Sequence, residues 1–334
     1  MFQQATVTTM NATNTIAYLG PAGTFTEAAF LGFAQRGHFG EHYEGLACRS
    51  PREAIDAVRA GQAAYACVAI ENSVDGAVTP TFDALGTGTV TGTNTGAAAA
   101  PGADRGVQIY DELDLSIAFS IMVKPGVKLE STKTFATHPV AYQQVKSWIE
   151  EHAPHLEFRA ASSNAAAAAQ VAAGEVDVAA APERAAALYG LESIAHNVAD
   201  VSGARTRFVL VGPVGPPTPP TGADRTSVLF SLRNVPGALV GALTEFSLRD
   251  VDLTRIESRP LENGLGTYRF YADIRGHIAD HNVGEALRAL YLRCEQLTFL
   301  GSWPARDELE APAGSDANII AANKWLDAAR KGNS

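Results

Sequence analysis

The sequence predicts an α/β protein in two parts: a long α/β region over residues 15–212 and a ferredoxin-like βαββαβ module over residues 224–303. Three observations predict it. From Thr15 to Gly212 short β-rich runs alternate with helical stretches, the pattern of sheets covered by helices. The stretch Gly212–Gly222, GPVGPPTPPTG, is extended and semi-rigid by its prolines, and it sets a linker at residues 213–223. Beyond it, strand, helix, strand, strand, helix and strand follow one another within a single small module.

In the first region Ile16–Leu19 reads as a short apolar strand that stops at Gly20-Pro21. Pro51–Ala60 reads as a helix and Ala66–Ile70 as a buried strand. Thr134–Ala136 is a further strand, followed by a helix over Pro139–Glu151. The alanine-rich run Ser163–Ala173 is helical, Val176–Ala180 a strand, Pro182–Tyr189 a helix and Phe208–Val211 a last strand. After the linker come a strand at Thr226–Leu232, an amphipathic helix at Gly237–Ser247 and a strand at Leu253–Arg259. The alternating YRFYADI of Tyr268–Ile274, a helix at Val283–Cys294 and a strand at Gln296–Leu300 complete the module. Residues 304–334 form a tail, helix-prone over Asn318–Ala329. The stretch Gly86–Gly106 is Gly, Thr and Ala with almost no bulky residue, so it reads as a surface insertion.

Composition narrows the function classes. With 46% hydrophobic residues spread along 334, the chain is neither disordered nor collagen-like. Three scattered cysteines, Cys48, Cys67 and Cys294, offer no disulfide framework and no metal-ligand spacing, and they suit a reducing cytoplasm. No apolar run is long enough to span a bilayer, and Met1–Asn14 lacks the basic start and apolar core of a signal peptide. A formal charge of −10 argues against nucleic acid as a partner, but a small anion remains compatible because a site's local field can oppose the net charge.

No P-loop, nucleophile elbow or dinucleotide fingerprint is present. What recurs is a helix opening after a strand. Thr24-Phe25-Thr26-Glu27 has the spacing of a capping box, Thr137-His138-Pro139 places proline at a first helical position, and Ser162-Ser163-Asn164 supplies N-cap residues. Each opening presents backbone N–H groups and partial positive charge to an anion, and each is equally readable as an ordinary helix cap. Two further clusters stand out: Glu71-Asn72-Ser73, closing a buried strand, and Arg205-Thr206-Arg207-Phe208, a hydroxyl and two cations just before another. A polar loop and a strand-edge salt bridge are the plain structural readings of these.

Taken together, YLGPAGTFTEAA (18–29), VAIENSVDGAV (68–78), TFATHPVAYQQV (134–145), YGLESIA (189–195) and TRF (206–208) resemble the prephenate dehydratase family. NVPGALVGAL (234–243) and IESRP (256–260) resemble the ACT regulatory domain fused to that enzyme. The resemblance implies a two-lobed catalytic region like a type 2 periplasmic binding protein, with the active site between the lobes, followed by the ACT domain. It implies that prephenate loses CO2 and water to give phenylpyruvate in phenylalanine biosynthesis, with no cofactor and no metal. Thr206, Arg207 and Phe208 match the catalytic motif, and Thr24, Glu71, Asn72, Ser73, Thr137, His138 and Ser163 match the substrate-binding positions. Asn234, Gly237, Ala238, Leu239, Glu257, Ser258 and Arg259 match the site where L-phenylalanine binds between neighbouring subunits, which implies a homodimer or homotetramer. The chain departs from the family's pattern at Ala118, Phe119, Val140, Asn164 and Ala204. An arogenate-preferring dehydratase, or a catalytically inactive carboxylate or amino-acid sensor, is the alternative. A fused chorismate mutase is not expected, since only 14 residues precede Thr15.

Overall fold

Strand ends and helix starts follow one another closely in the first half of the chain, and this places several helix N-termini on one side of each sheet. The computed structural model describes residues 14–87, 106–201, 203–260, 268–306 and 315–332. They divide into two compact units, one taking the described residues up to Val214 except Gln108–Asp111, the other taking Gln108–Asp111 and the described residues from Gly215 on.

The first unit has two lobes. Lobe one contains β1 (Asn14–Leu19), α1 (Phe25–Gln35), β2 (Tyr43–Cys48), α2 (Pro51–Arg59), β3 (Tyr65–Asn72), β4 (Gly76–Ala77), α3 (Thr79–Gly86) and β5 (Val107–Ser116). The chain then crosses into lobe two: β6 (Ser120–Val123), β7 (Thr134–Thr137), α4 (Pro139–His152), β8 (Glu157–Ala160), α5 (Asn164–Ala173), β9 (Val178–Ala181), α6 (Glu183–Tyr189) and β10 (Glu192–Ala195). It returns through β11 (Arg205–Pro213), which joins the first sheet in the order β2-β1-β3-β11-β5, while the second sheet runs β10-β6-β9-β7-β8. β1 pairs in parallel with β2 and β3, whereas the returning β11 is antiparallel to β3. This doubly connected pair of sheets is the type 2 periplasmic-binding-protein-like architecture.

Lobe one is held by an aromatic core in which Tyr18 stacks on Phe30 with ring centres 5.5 Å apart, beside Phe33, Phe39 and Phe208. Each such ring taken from water stabilises the fold by roughly 1.5–3 kcal/mol. Lobe two packs the alanine face of α5 directly on β7 and β9, through Ala167, Ala168 and Val171 against Ala136 and Ala179. Small residues there let helix and sheet approach closely.

The second unit is built from β12 (Asp224–Ser231), α7 (Ala238–Ser247), β13 (Leu253–Pro260), β14 (Tyr268–Arg275), α8 (His281–Arg293) and β15 (Gln296–Pro304). Its sheet order is β13-β14-β12-β15 with antiparallel neighbours, the ferredoxin-like arrangement expected from the element order. Val228, Phe230, Phe270, Ala272 and Ile274 meet the apolar faces of both helices. A last helix, α9, spans Ser315–Arg330. Among the described residues no helix is long and apolar enough to cross a membrane.

Several elements differ from the sequence reading. β11 begins at Arg205 rather than Phe208, because Thr206 and Arg207 pair with Asn72 and Glu71 of β3. The TRF motif therefore lies within a strand, with a register shift after Arg207. β5 escapes sequence reading because Asp111, Glu112 and Asp114 lower its β propensity, and β2 because it is an exposed edge strand. Of the Gly86–Gly106 insertion, residues 88–105 lie outside the described residues.

Candidate active site

Four helix openings surround one cavity of about 560 Å3 in the first unit. At α1, Thr24 Oγ1 accepts the Glu27 N–H at 3.2 Å, and the Glu27 carboxylate reaches back to the Gly23 N–H at 2.8 Å. Gly20 precedes this turn because a Cβ there would lie 2.7 Å from the Ala47 Cβ. At α2, Ser50 Oγ accepts the Glu53 N–H at 3.1 Å, and Glu53 takes the Arg49 N–H at 2.8 Å, which is the same device. At α4, Pro139 occupies the first turn and His138 Nδ1 accepts the Val140 N–H at 3.3 Å. That contact leaves Nε2 to carry the proton of the neutral ring. At α5, Ser163 Oγ accepts the Ala166 N–H at 3.0 Å.

Thr24, His138 and Ser163 all line the cavity, together with Gly20, Pro21, Phe25, Cys48, Arg49, Ser162 and Asn164. The Asn164 carboxamide oxygen accepts the His138 N–H at 3.2 Å, so this departure from the family pattern ties two helix openings together. Burial, with the Glu53 carboxylate adding to it, pushes the Cys48 thiol up, which keeps it a thiol rather than a nucleophilic thiolate at neutral pH. Across the lobes, Arg184 pairs with Glu27 at 2.9 Å and the Tyr189 hydroxyl donates to the Ala22 carbonyl at 3.2 Å. The Tyr189 hydroxyl is pushed up by burial and then by Glu27, so it stays a donor.

A second cluster forms where β3 meets β11. Asn72 Oδ1 accepts the N–H groups of Val74 at 2.8 Å and Asp75 at 3.3 Å, and this fixes the amide so that Nδ2 donates to Thr206 Oγ1 at 3.2 Å. Ser73 exchanges two bonds of 2.9 Å with the backbone of Arg205. Arg207 sits among three carboxylates, Glu71 at 3.4 Å, Asp114 at 3.5 Å and Glu112 at 4.0 Å. Beside them the chain crossings are bonded to each other, Ile117 N–H to the Ala204 carbonyl at 2.7 Å and Val198 N–H to the Phe119 carbonyl at 3.0 Å.

Two expected site residues point elsewhere. Phe208 is buried in the lobe-one core beside Ile16 and Phe30, so its part in the motif is packing rather than contact with a ligand. Thr137 is fully buried and donates to the Ala180 carbonyl at 2.8 Å, which anchors β7 to β9. Sequence reading missed Arg49 and Ser50, although Ser50-x-x-Glu53 repeats the box read at Thr24.

In the second unit a small opening of about 100 Å3 is lined by Asn234, Val235, Ala238, Leu239, Tyr268 and Phe270 among others. Gly237 caps α7 at φ 81°, a left-handed conformation that favours glycine. Ser258 pairs with Phe270 and so shares its face of the sheet. Glu257 and Arg259 alternate to the opposite face, because side chains along a strand switch sides at every residue.

Residues 16–215 match the sequence profile of prephenate dehydratase, and residues 226–290 match that of the ACT domain. The chain belongs to the prephenate dehydratase family. It is 54% identical to the prephenate dehydratase of Corynebacterium glutamicum over 325 residues, covering 96% of this chain and 98% of the relative. It is 47% identical to that of Mycobacterium tuberculosis over 322 residues, covering 95% and 94%. Among solved structures, the prephenate dehydratase of Arthrobacter aurescens in complex with L-Phe superposes with a TM-score of 0.81 at 36% identity, covering 95% of this chain and 99% of that one. A quorum-quenching acylase superposes with a TM-score of 0.73 at 31% identity, covering 88% and 99%. The activity of the chain is the decarboxylating dehydration of prephenate to phenylpyruvate.

Proposed function

We propose that the prephenate dehydratase reaction takes place between the lobes, with the helix openings holding a carboxylate and the Asn72–Thr206 pair serving the leaving hydroxyl. The bond from the ring to its carboxylate breaks to give CO2, and its electron pair moves through the ring and expels the hydroxyl. That oxygen takes a proton and departs as water, and the ring becomes aromatic. The protein's chief task is to supply that proton. The observation that carries this reading is the direction of the hydrogen bond at Thr206. Because Asn72 donates to Thr206 Oγ1, the hydroxyl's own proton is turned away from Asn72 and offered to the substrate oxygen. A weak acid at this position works as a relay, passing its proton on while it regains one.

Within that reading Thr24, His138 and Ser163 place their helix N-termini around the anion, Glu71 and Arg207 fix the end of β3, and Ser73 clamps the returning crossover. Phe208 holds the motif by its ring. Asn72→Asp tests the relay without changing shape. A carboxylate keeps the bonds from Val74 and Asp75 but accepts from Thr206, which reverses the relay. The expected result is a fall in kcat of about 10²-fold or more with a near-native circular dichroism spectrum. Turnover within twofold of the parent would refute the relay.

The second unit is proposed to bind L-phenylalanine at the opening beside Asn234, Gly237, Ala238, Leu239 and Ser258, giving feedback inhibition. The L-Phe complex of the Arthrobacter aurescens relative supports this. Exposed Val235 and Tyr268 line the opening and, with exposed Ile256, offer apolar surface for a second copy, so a homodimer or homotetramer is proposed. Three free cysteines suit the cytoplasm as the compartment. Titration calorimetry with millimolar phenylalanine is expected to give binding heat, a rise in Tm and suppressed turnover. Absence of both heat and thermal shift would remove the regulatory proposal and leave the catalytic one standing.

A further inference from the structure

The cavity between the helix openings must hold a substrate with two carboxylates, yet the cation of the TRF motif is already engaged. Arg207 lies within 4.0 Å of Glu71, Glu112 and Asp114, so three negative charges offset its one. Among the described residues lining the cavity, Arg49 is the one carrying a permanent positive charge. Its side chain is 92% exposed and is held at the cavity rim by Glu53, with Nε 3.1 Å from Oε2 and Nη2 3.3 Å from Oε1. A guanidinium engaged as a fork with one carboxylate has the geometry to take another, and an exposed i,i+4 pair is weak enough for a ligand carboxylate to displace it.

We infer that Arg49 is a specificity-determining residue that exchanges Glu53 for the substrate's side-chain carboxylate. This rests on the assignment of the reaction to this cavity. The chemistry decides which carboxylate it holds. The ring carboxylate loses its negative charge as CO2 departs, so a cation placed on it would stabilise the ground state more than the transition state and slow the reaction. The side-chain carboxylate keeps its charge throughout, and a cation there strengthens binding equally in both states. Arg49 therefore acts on KM and not on kcat. A substrate bearing an ammonium beside that carboxylate, as arogenate does, meets like-charge repulsion from Arg49, so Arg49 also favours the keto acid over the amino acid.

Glu53 is the device that keeps Arg49 at the rim, and Glu53→Gln separates its two roles. Glutamine preserves the capping contact to the Arg49 N–H while removing the charge that competes for the guanidinium. Steady-state kinetics of the full chain with prephenate and arogenate, at low and high salt, test the inference. Arg49→Gln is expected to raise KM for prephenate about 10–100-fold, the range of one lost charge-assisted hydrogen bond, with kcat within about threefold. The rise is smaller for arogenate. The salt dependence of KM flattens in Arg49→Gln, and Glu53→Gln lowers KM for prephenate. Unchanged Tm in both variants separates these effects from folding. A KM for Arg49→Gln within twofold of the parent, or a loss confined to kcat, would overturn the role of Arg49. A folded parent enzyme that fails to turn over prephenate would instead overturn the assignment of the reaction.

Discussion

Thr206→Ala is expected to lower kcat by about 10²–10⁴ while the protein remains folded. The hydroxyl is buried at the junction of β3 and β11 and receives the Asn72 amide at 3.2 Å. Under the proposed relay, removing it deletes the donor to the departing hydroxyl and leaves the helix openings untouched, so KM changes little. The cost to stability is about 1 kcal/mol, that of one side-chain hydrogen bond. Thr206→Ser is expected to retain most activity because it keeps the hydroxyl, whereas Thr206→Val keeps the shape and loses activity like alanine. Near-parental turnover in Thr206→Val would place the proton donor elsewhere.

Phe119→Ala is expected to destabilise the first unit by about 3–5 kcal/mol, the usual cost of emptying a buried aromatic site. Phe119 is 2% exposed and meets Phe25 edge to face, with ring centres 5.6 Å apart. Phe25 is the first residue of α1 and lines the cavity, so this aromatic contact joins the lobe crossing to a helix opening. Phe119 also packs with Ala204 and Val198 in one apolar cluster. The departures at Phe119 and Ala204 therefore belong together: an apolar ring on one crossing is matched by a small apolar residue on the other. Differential scanning calorimetry is expected to show a fall in Tm of roughly 6–20 °C, with kcat/KM reduced as α1 loses its support. Phe119→Leu fills most of the volume and loses far less. A Tm within 2 °C of the parent for Phe119→Ala would show that the crossing draws its stability elsewhere.

The helix openings at Thr24, His138 and Ser163 were legible in the sequence because a cap is a contact between residues two or three apart. The same locality made the βαββαβ order readable, and the similarity to prephenate dehydratase rested on motifs of that length. Arg49 was legible in principle by the same rule, since Ser50 and Glu53 repeat the spacing of Thr24 and Glu27. It was missed because β2, which delivers it, has the mixed polarity of an exposed edge strand.

By itself, then, the sequence determined where helices begin, the α/β class of the fold, and which family the chain belongs to. Tertiary structure alone decided which of those openings share a cavity, and which way each motif residue points. Arg207 is surrounded by Glu112 and Asp114 only because β11 returns from the second lobe to lie in the same sheet as β5. Phe208 packs beside Ile16 and Phe30 while Thr206 meets Asn72, because β11 returns to pair with β3 from far along the chain. Glu257 and Arg259 part from Ser258 by the alternation of a strand whose register is set by β14. Caps are fixed by neighbours in the chain, whereas sheet register and charge partners are fixed by strands far apart in sequence, and only folding brings those together.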